Sequence, residues 1–197
     1  MINLEKPSAK QVKHYLAKRE TLENYVLQEK ALEKLFNLLP HNTDINDVLL
    51  KSSTLNDFYS TNIFNTYAVA KHILTIPNLD NRLKQGDISL VDEIKEVTMS
   101  DGKKRDFYSF ATKYCSHHNP NFFPIYDSYV DKILVALNKV YPFSTFKHKE
   151  LKNYQRFNEV LLDFNKTFGL DNFSLKDLDT YLWLLGKEIF PKKVKLF

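Results

Sequence analysis

Apolar side chains recur every three or four residues along most of this chain, and this spacing is typical of amphipathic α-helices. The clearest stripe ends just before Gly169, a residue type that often terminates a helix, and comprises Tyr154, Phe157, Val160, Leu161, Phe164 and Phe168. Only four glycines occur in 197 residues, which disfavours a sheet protein with many tight turns and any Gly-rich phosphate loop. The sequence therefore predicts an all-α fold, a multi-helix globular bundle with no substantial sheet.

The same periodicity predicts further helices, several of which end before a proline. Their apolar stripes lie at Ala31–Leu39, Ile63–Leu74, Leu90–Val97, Phe107–Tyr114, Val130–Leu137 and Leu178–Ile189. Ser174 and Asp177 resemble a capping box at the start of the last one. We interpret residues 1–197 as a single helical domain, with residues 1–50 as a candidate small N-terminal cap on a core formed by residues 51–197.

Composition and cysteine content narrow the class of protein. Apolar residues make up 43% and charged residues 26% of the chain, as in ordinary globular proteins. The sequence contains no apolar run long enough to cross a membrane and no secretory signal in its first 20 residues. Cys115 is the only cysteine, which excludes an internal disulfide and a four-cysteine iron–sulfur cluster. We expect a cytoplasmic protein with no membrane partner.

The net charge of +4, from 28 basic and 24 acidic residues, permits nucleic-acid binding without requiring it. The most informative segment is Val97–Leu134. It contains a predicted turn at Asp101-Gly102, a basic triplet, a predicted helix, a loop with two prolines, and Asp127 at the start of the next predicted helix. This order of elements indicates two helices joined by a short hairpin and followed by a carboxylate at a helix N-terminus.

That order, together with two local motifs, resembles the core of the helix-hairpin-helix DNA glycosylase superfamily, in particular the branch that acts on oxidised guanine. The resemblance is most specific in the stretch from Ser109-Phe-Ala-Thr-Lys-Tyr to Pro124-Ile-Tyr-Asp127, followed by Ser128-Tyr-Val130. The segment Leu178–Gly186 also looks like the last helix of bacterial relatives. The similarity extends over roughly residues 63–186.

The resemblance implies a DNA-repair hydrolase that binds double-stranded DNA and cleaves the N-glycosidic bond of an oxidised purine, with β-lyase activity if a lysine is the nucleophile. Neither a metal nor an organic cofactor is needed for that chemistry. The implied catalytic residues are Asp127 and Lys104. The implied DNA-binding residues are Gly102, Lys103, Lys104 and Arg105. The implied walls of the base pocket are Phe122, Phe123 and Tyr126, because a flipped base stacks on aromatic side chains.

The sequence departs from the family pattern at the hairpin and at the lysine. The family builds its hairpin around Gly-x-Gly, whereas this turn contains Gly102 alone. Lys104 lies 23 residues before Asp127 and Lys113 lies 14 residues before it, and neither spacing fits the family without an insertion. The choice of nucleophile among Lys103, Lys104 and Lys113 therefore stays open.

Each candidate residue also has a simpler structural interpretation. Asp is a favoured N-cap residue, so Asp127 is explained equally well as a helix cap. The basic triplet is also explained as an exposed turn that contacts phosphates or nothing. His117 and His118 are adjacent and point in different directions on a helix, which disfavours their binding one metal. The alternative to an enzyme is a non-catalytic helical module that binds nucleic acid or protein.

Overall fold

The all-α prediction is confirmed by the structure, a computed structural model that describes residues 4–99 and 101–191. These residues form ten α-helices, one 3₁₀ helix and two strands of three residues each. No helix in the described part of the chain is both long enough and apolar enough to span a membrane.

Contacts within the chain divide it into two compact units, and each is described separately. We name them the terminal unit, residues 1–22 with 126–197, and the central unit, residues 23–125. The predicted boundary at residue 50 falls inside a helix, Ile45–Tyr59, and does not coincide with either division. The arrangement of a 1–50 cap on a 51–197 core stays a prediction.

Four α-helices and a 3₁₀ helix build the described part of the terminal unit: α1 (Ala9–Glu20), α8 (Ser128–Val140), the 3₁₀ helix (His148–Lys152), α9 (Tyr154–Phe168) and α10 (Leu175–Ile189). α10 packs against both α1 and α8. Gly186 permits the close approach to α8, because a Cβ built there would lie 2.7 Å from the Tyr129 carbonyl oxygen. Phe164 and Phe168 of α9 pack edge to face on each other and on Phe143.

Six α-helices and both strands build the described part of the central unit: α2 (Glu23–Leu38), α3 (Ile45–Tyr59), α4 (Thr66–Leu74), α5 (Leu79–Gln85), α6 (Leu90–Lys95), β1 (Glu96–Thr98), β2 (Lys104–Asp106) and α7 (Tyr108–His118). α3 packs on α4, and α6 packs on α7. Asp44 and Asn65 cap α3 and α4 by accepting hydrogen bonds from free backbone N–H groups of the first turn. α7 is buried along most of its length, so it lies at the centre of this unit.

The connection between α6 and α7 contains the turn that the sequence predicts at Asp101-Gly102, but two short strands flank this turn. β1 and β2 pair antiparallel, with Val97 opposite Arg105, and form a short β-hairpin. Val97, expected at the end of a helix, is instead the buried residue of β1. The structure therefore does not show the expected helix-hairpin-helix element in this segment.

Candidate functional site

Asp127 is the N-cap of α8, as its position in the sequence predicts. One carboxylate oxygen, Oδ1, accepts hydrogen bonds from the backbone N–H groups of Tyr129 at 2.8 Å and Val130 at 2.9 Å. The second oxygen, Oδ2, accepts no hydrogen bond from the described residues. The side chain is half-buried. The backbone therefore fixes the carboxylate at the positive end of the helix while leaving one oxygen available.

A second carboxylate, Asp131, lies one turn further along α8 and is buried. Its Oδ2 is 2.6 Å from Nε2 of His148, the first residue of the 3₁₀ helix. Its Oδ1 accepts a hydrogen bond of 3.0 Å from the Tyr126 hydroxyl. Both oxygens of this buried carboxylate are thus occupied, which fixes the positions of the imidazole and the phenol.

Tyr126 is held in its neutral form by its surroundings. Burial raises the pKa of Tyr126, and the neighbouring Asp131 carboxylate raises it further. The ring packs edge to face on Phe157, with centroids 5.5 Å apart. Tyr126 therefore acts as a hydrogen-bond donor to Asp131.

The His148 imidazole is the accessible member of this group, since 65% of its side chain is exposed. When the single proton of the neutral ring is on Nε2, this N–H donates to Asp131. Nδ1 then has no proton and is the acceptor. A carboxylate that orients an imidazole in this way is the arrangement that enzymes use for general-base catalysis. We call Tyr126, Asp127, Asp131 and His148 the α8 site.

The four residues that the resemblance assigns to DNA binding lie on or beside the β-hairpin of the central unit. Gly102 has a φ of 74°, which favours glycine, and a Cβ there would meet no atom within 4 Å. Lys103, Lys104 and Arg105 are exposed. Lys104 Nζ lies 3.3 Å from a Glu96 carboxylate oxygen, and Arg105 lies 3.8 Å from Asp101. Acidic neighbours therefore partly neutralise the triplet.

Two of the three lysines considered as nucleophiles, Lys104 and Lys113, differ in burial. The Lys104 side chain is 73% exposed, so it lacks the desolvation that promotes a nucleophilic amine. Lys113 is buried on α7, and its Nζ donates a hydrogen bond of 2.6 Å to the Ser109 hydroxyl. Its ammonium also lies 5.2 Å from the centre of the Tyr59 ring. Both lysines lie in the central unit and Asp127 lies in the terminal unit, so the predicted Lys104–Asp127 pair stays a prediction.

The three predicted pocket residues occupy different environments. Phe122 is half exposed and lies against the backbone of Gly86, with Cγ only 2.4 Å from where a Cβ would stand. Phe123 is completely buried. Tyr126 belongs to the α8 site of the terminal unit, whereas Phe122 and Phe123 belong to the central unit. The base pocket stays a prediction.

Comparison with known proteins assigns the chain to a family. A family model described as HI_0787_N, N-terminal domain, matches residues 11–122, more than half of the chain. The chain belongs to the HI_0787_N family. It is also 61% identical over 150 residues to an uncharacterized protein of Haemophilus influenzae, an alignment that covers 76% of this chain and 71% of the relative. No solved structure matches the chain.

The HI_0787_N match covers nearly all of the central unit and ends before Asp127. The most unusual feature of the central unit is Lys51 of α3, which is completely buried. The Lys51 ammonium donates to the carbonyl oxygens of Leu39 and His41, each at 2.9 Å, and to Asn42 Oδ1 at 2.7 Å. Asn42 in turn is bound by the Asp80 carboxylate through its backbone and side-chain N–H groups. These hydrogen bonds from Lys51 therefore hold the loop between α2 and α3 in place.

His117, His118 and Cys115 of α7 have structural roles in the interior of the central unit. His118 Nε2 lies 3.4 Å from Lys51 Nζ, and burial, followed by the Lys51 charge, lowers the pKa of His118 well below its ordinary value. His117 Nε2 lies 3.0 Å from the Tyr59 hydroxyl. Cys115 is completely buried, and this burial raises the pKa of its thiol. No group of three His, Cys, Asp or Glu side chains among residues 4–99 and 101–191 could hold a metal ion.

The sequence did not single out Asp131, His148 or Lys51. Asp131 lies between buried positions of α8, and Lys51 lies three residues after Val48 and four before Leu55, on the buried face of α3. A charged residue within an apolar stripe is a usable signal, because such residues are seldom buried without partners. His148 lies in a polar segment and gives no comparable signal.

Proposed function

We propose that this protein is a DNA glycosylase that hydrolyses the N-glycosidic bond of an oxidised purine in duplex DNA and acts in the cytoplasm. The observation that carries the proposal is the α8 site, in which a free carboxylate oxygen at the helix start lies one turn before an Asp–His pair with an exposed imidazole. The substrate class follows from the resemblance to the glycosylase superfamily in this same segment.

Each residue of the α8 site has a distinct role in the proposed hydrolysis. As the bond from the sugar C1′ to the base breaks, positive charge develops on the sugar, and Asp127 Oδ2 stabilises it. His148 Nδ1 removes a proton from the attacking water, whose oxygen forms the new bond to C1′. Asp131 is a positioning residue that stabilises the resulting imidazolium, and Tyr126 holds Asp131. The base leaves as an anion and takes up a proton from solvent, and His148 then releases its proton to solvent.

Water rather than a lysine is the proposed nucleophile. A Schiff base requires a neutral amine close to the sugar, and the Lys104 amine is exposed and paired with Glu96. We therefore propose glycosylase activity without the β-lyase step. Borohydride trapping of a covalent complex between enzyme and lesion DNA would contradict this part of the proposal.

A non-catalytic role is the second candidate, and two observations favour it. Asp127 Oδ1 makes both N-cap hydrogen bonds, which is a sufficient reason for an aspartate at this position. The carboxylates of Glu96 and Asp101 reduce the positive charge of the hairpin. In this alternative the chain binds nucleic acid or a protein through the same scaffold and cleaves nothing.

Single-turnover cleavage of a duplex containing 8-oxoguanine tests the proposal. Asp127→Asn keeps an N-cap acceptor and removes the charge, while His148→Gln keeps a donor for Asp131 and removes the base. We expect each substitution to lower the cleavage rate by roughly 10²- to 10⁴-fold without lowering the thermal unfolding midpoint.

Asp44→Asn is the matched control, because Asp44 caps α3 through the same kind of hydrogen bonds and lies in the central unit. It should cleave at the parental rate. An Asp127→Asn protein that cleaves as fast as the parent, or a parent that cleaves no oxidised purine, would favour the non-catalytic alternative.

A further inference from the structure

The segment between α3 and α4 has an uncommon backbone conformation. Ser60 has a φ of 49° and Asn62 a φ of 60°, so two non-glycine residues separated by one position adopt the left-handed region. This region is unfavourable for side chains with a Cβ, and such residues persist where the surrounding structure enforces them. We call residues 60–65 the α3–α4 loop.

Asn56 of α3 enforces this conformation. Its Oδ1 accepts hydrogen bonds from the Ile63 backbone N–H at 2.9 Å and from the Thr61 hydroxyl at 2.7 Å, and its Nδ2 donates to the Ile63 carbonyl at 3.1 Å. The Ile63 side chain is buried and anchors the loop in the core of the central unit. The Asn56 hydrogen bonds and the buried Ile63 side chain therefore stabilise one conformation of the loop.

The consequence of this conformation is that Phe64, next to the buried Ile63, is fully exposed. Tyr67 in the first turn of α4 is more than half exposed. Lys71, one turn later, places its Nζ 5.7 Å from the centre of the Tyr67 ring. Two aromatic rings and one ammonium group are thus presented to solvent at the start of α4.

The composition of this segment indicates the kind of partner. Residues 58–79 contain no Asp or Glu, and Lys71 is their one Lys or Arg. The acidic residues Asp92, Glu93 and Glu96 line a pocket with His72, the residue after Lys71. An apolar peptide partner would gain nothing from Lys71. A nucleic-acid strand uses both features, since its bases stack on aromatic rings and its phosphates attract a lysine.

We propose that Phe64 and Tyr67 are a stacking platform for unpaired bases of a single-stranded nucleic-acid segment, with Lys71 beside its phosphates. The inference takes the nucleic-acid partner from the proposed function and does not depend on catalysis at the α8 site. Stacking of this kind is tolerant of sequence, because every base has an aromatic face.

Fluorescence anisotropy of a labelled twelve-residue oligothymidine at low salt tests the platform. Phe64→Leu keeps an apolar side chain and removes the ring, and we expect it to weaken binding about 10-fold relative to the parent. Tyr67→Leu should weaken it similarly. Leu162→Ala, a change at another exposed apolar side chain on α9, is the control and should bind like the parent. Because Phe64 is fully exposed, its substitution should leave the thermal midpoint unchanged.

An abasic oligomer of the same length separates stacking from phosphate binding. The parent should bind it more weakly than oligothymidine, and Phe64→Leu should cause no further loss. The proposal is overturned if Phe64→Leu binds oligothymidine like the parent, if the parent does not bind it, or if Phe64 instead supports a dimer in light scattering that the substitution abolishes.

The failures of the two proposals can be told apart. A protein that binds oligothymidine through Phe64 and cleaves no oxidised purine retains the platform and loses the glycosylase. A protein that cleaves the lesion at a rate dependent on Asp127, with no effect of Phe64→Leu on oligothymidine binding, retains the glycosylase and loses the platform.

Discussion

The Lys51 ammonium group is completely buried, yet each of its three hydrogens has an oxygen acceptor. The rings of Phe36 and Tyr114 lie 5.6 and 5.8 Å from its nitrogen and provide further stabilisation of the charge. Burial lowers the pKa of Lys51 to about 8, although Asp80 and Asp47 act in the opposite direction. The charged form is therefore held at a cost in solvation, which the geometry of the acceptors only partly offsets.

This lowered pKa predicts an unusual dependence of stability on pH. Between pH 8 and the pKa of an unfolded lysine, near 10.4, the unfolded chain binds more protons at this residue than the folded chain does. The free energy of unfolding should therefore rise with pH in that window, by about 1 kcal/mol per unit, and be independent of Lys51 titration below pH 8. Denaturation of the parent and of Lys51→Met from pH 7 to 10 measures the difference between their free energies of unfolding at each pH. If this difference is constant or falls above pH 8, Lys51 stays charged in the folded protein.

At the level of single residues, the sequence predicted the N-cap position of Asp127, because an aspartate directly before an apolar stripe is a local signal. The Asp131–His148 pair was not predictable in the same way. Asp131 and His148 are 17 residues apart, and nothing in the polar segment around His148 indicates that it returns to α8. Lys51 illustrates the same limit, since its acceptors come from the end of α2 and the following loop.

Among the elements, helices with a strong apolar stripe and a terminal signal were predicted well. α9 spans Tyr154–Phe168 with Gly169 at its C-cap, and Ser174 and Asp177 form the capping box of α10. No stripes were identified for α1, α3 and α5, because charged and amide residues interrupt their apolar positions. The two strands were missed because three residues are too few to show an alternating pattern.

A glycine at the end of α5 links two elements of the central unit and yields a prediction. Gly86 has a φ of 72°, and the Phe122 ring occupies the space that a Cβ would need. Gly86→Ala should lower the free energy of unfolding by about 2 kcal/mol or more, through backbone strain and the displacement of Phe122. Urea denaturation measures this loss.

Gly169→Ala separates the two contributions. Gly169 also has a positive φ, 63°, but no atom lies within 4 Å of a Cβ built there. Gly169→Ala should therefore lower the free energy of unfolding through backbone strain alone, by about 1 kcal/mol. Phe122→Ala should recover part of the Gly86→Ala loss in a double-mutant cycle, and purely additive effects would show that the ring is not responsible.

On the scale of the whole molecule, the two units are built differently along the chain. The central unit is one continuous segment, residues 23–125. The terminal unit joins α1 to the last third of the chain, through the packing of Tyr15 on Tyr181, the Lys18–Glu188 ion pair and a hydrogen bond from the Tyr141 hydroxyl to the Leu4 carbonyl. The HI_0787_N match begins within α1, so its boundary differs from the division by contacts.

This difference predicts which part of the chain folds alone. A fragment of residues 23–125 contains every partner of Lys51 and the packed pairs α3–α4 and α6–α7, so it should unfold cooperatively on heating. Its helical circular dichroism should be lost in one transition, and Lys51→Met should shift that transition in the fragment as in the full chain. A fragment of residues 126–197 lacks α1 and should show no such transition until a peptide of residues 1–22 is added. A central fragment without a cooperative transition would mean that its core is completed by residues outside 23–125.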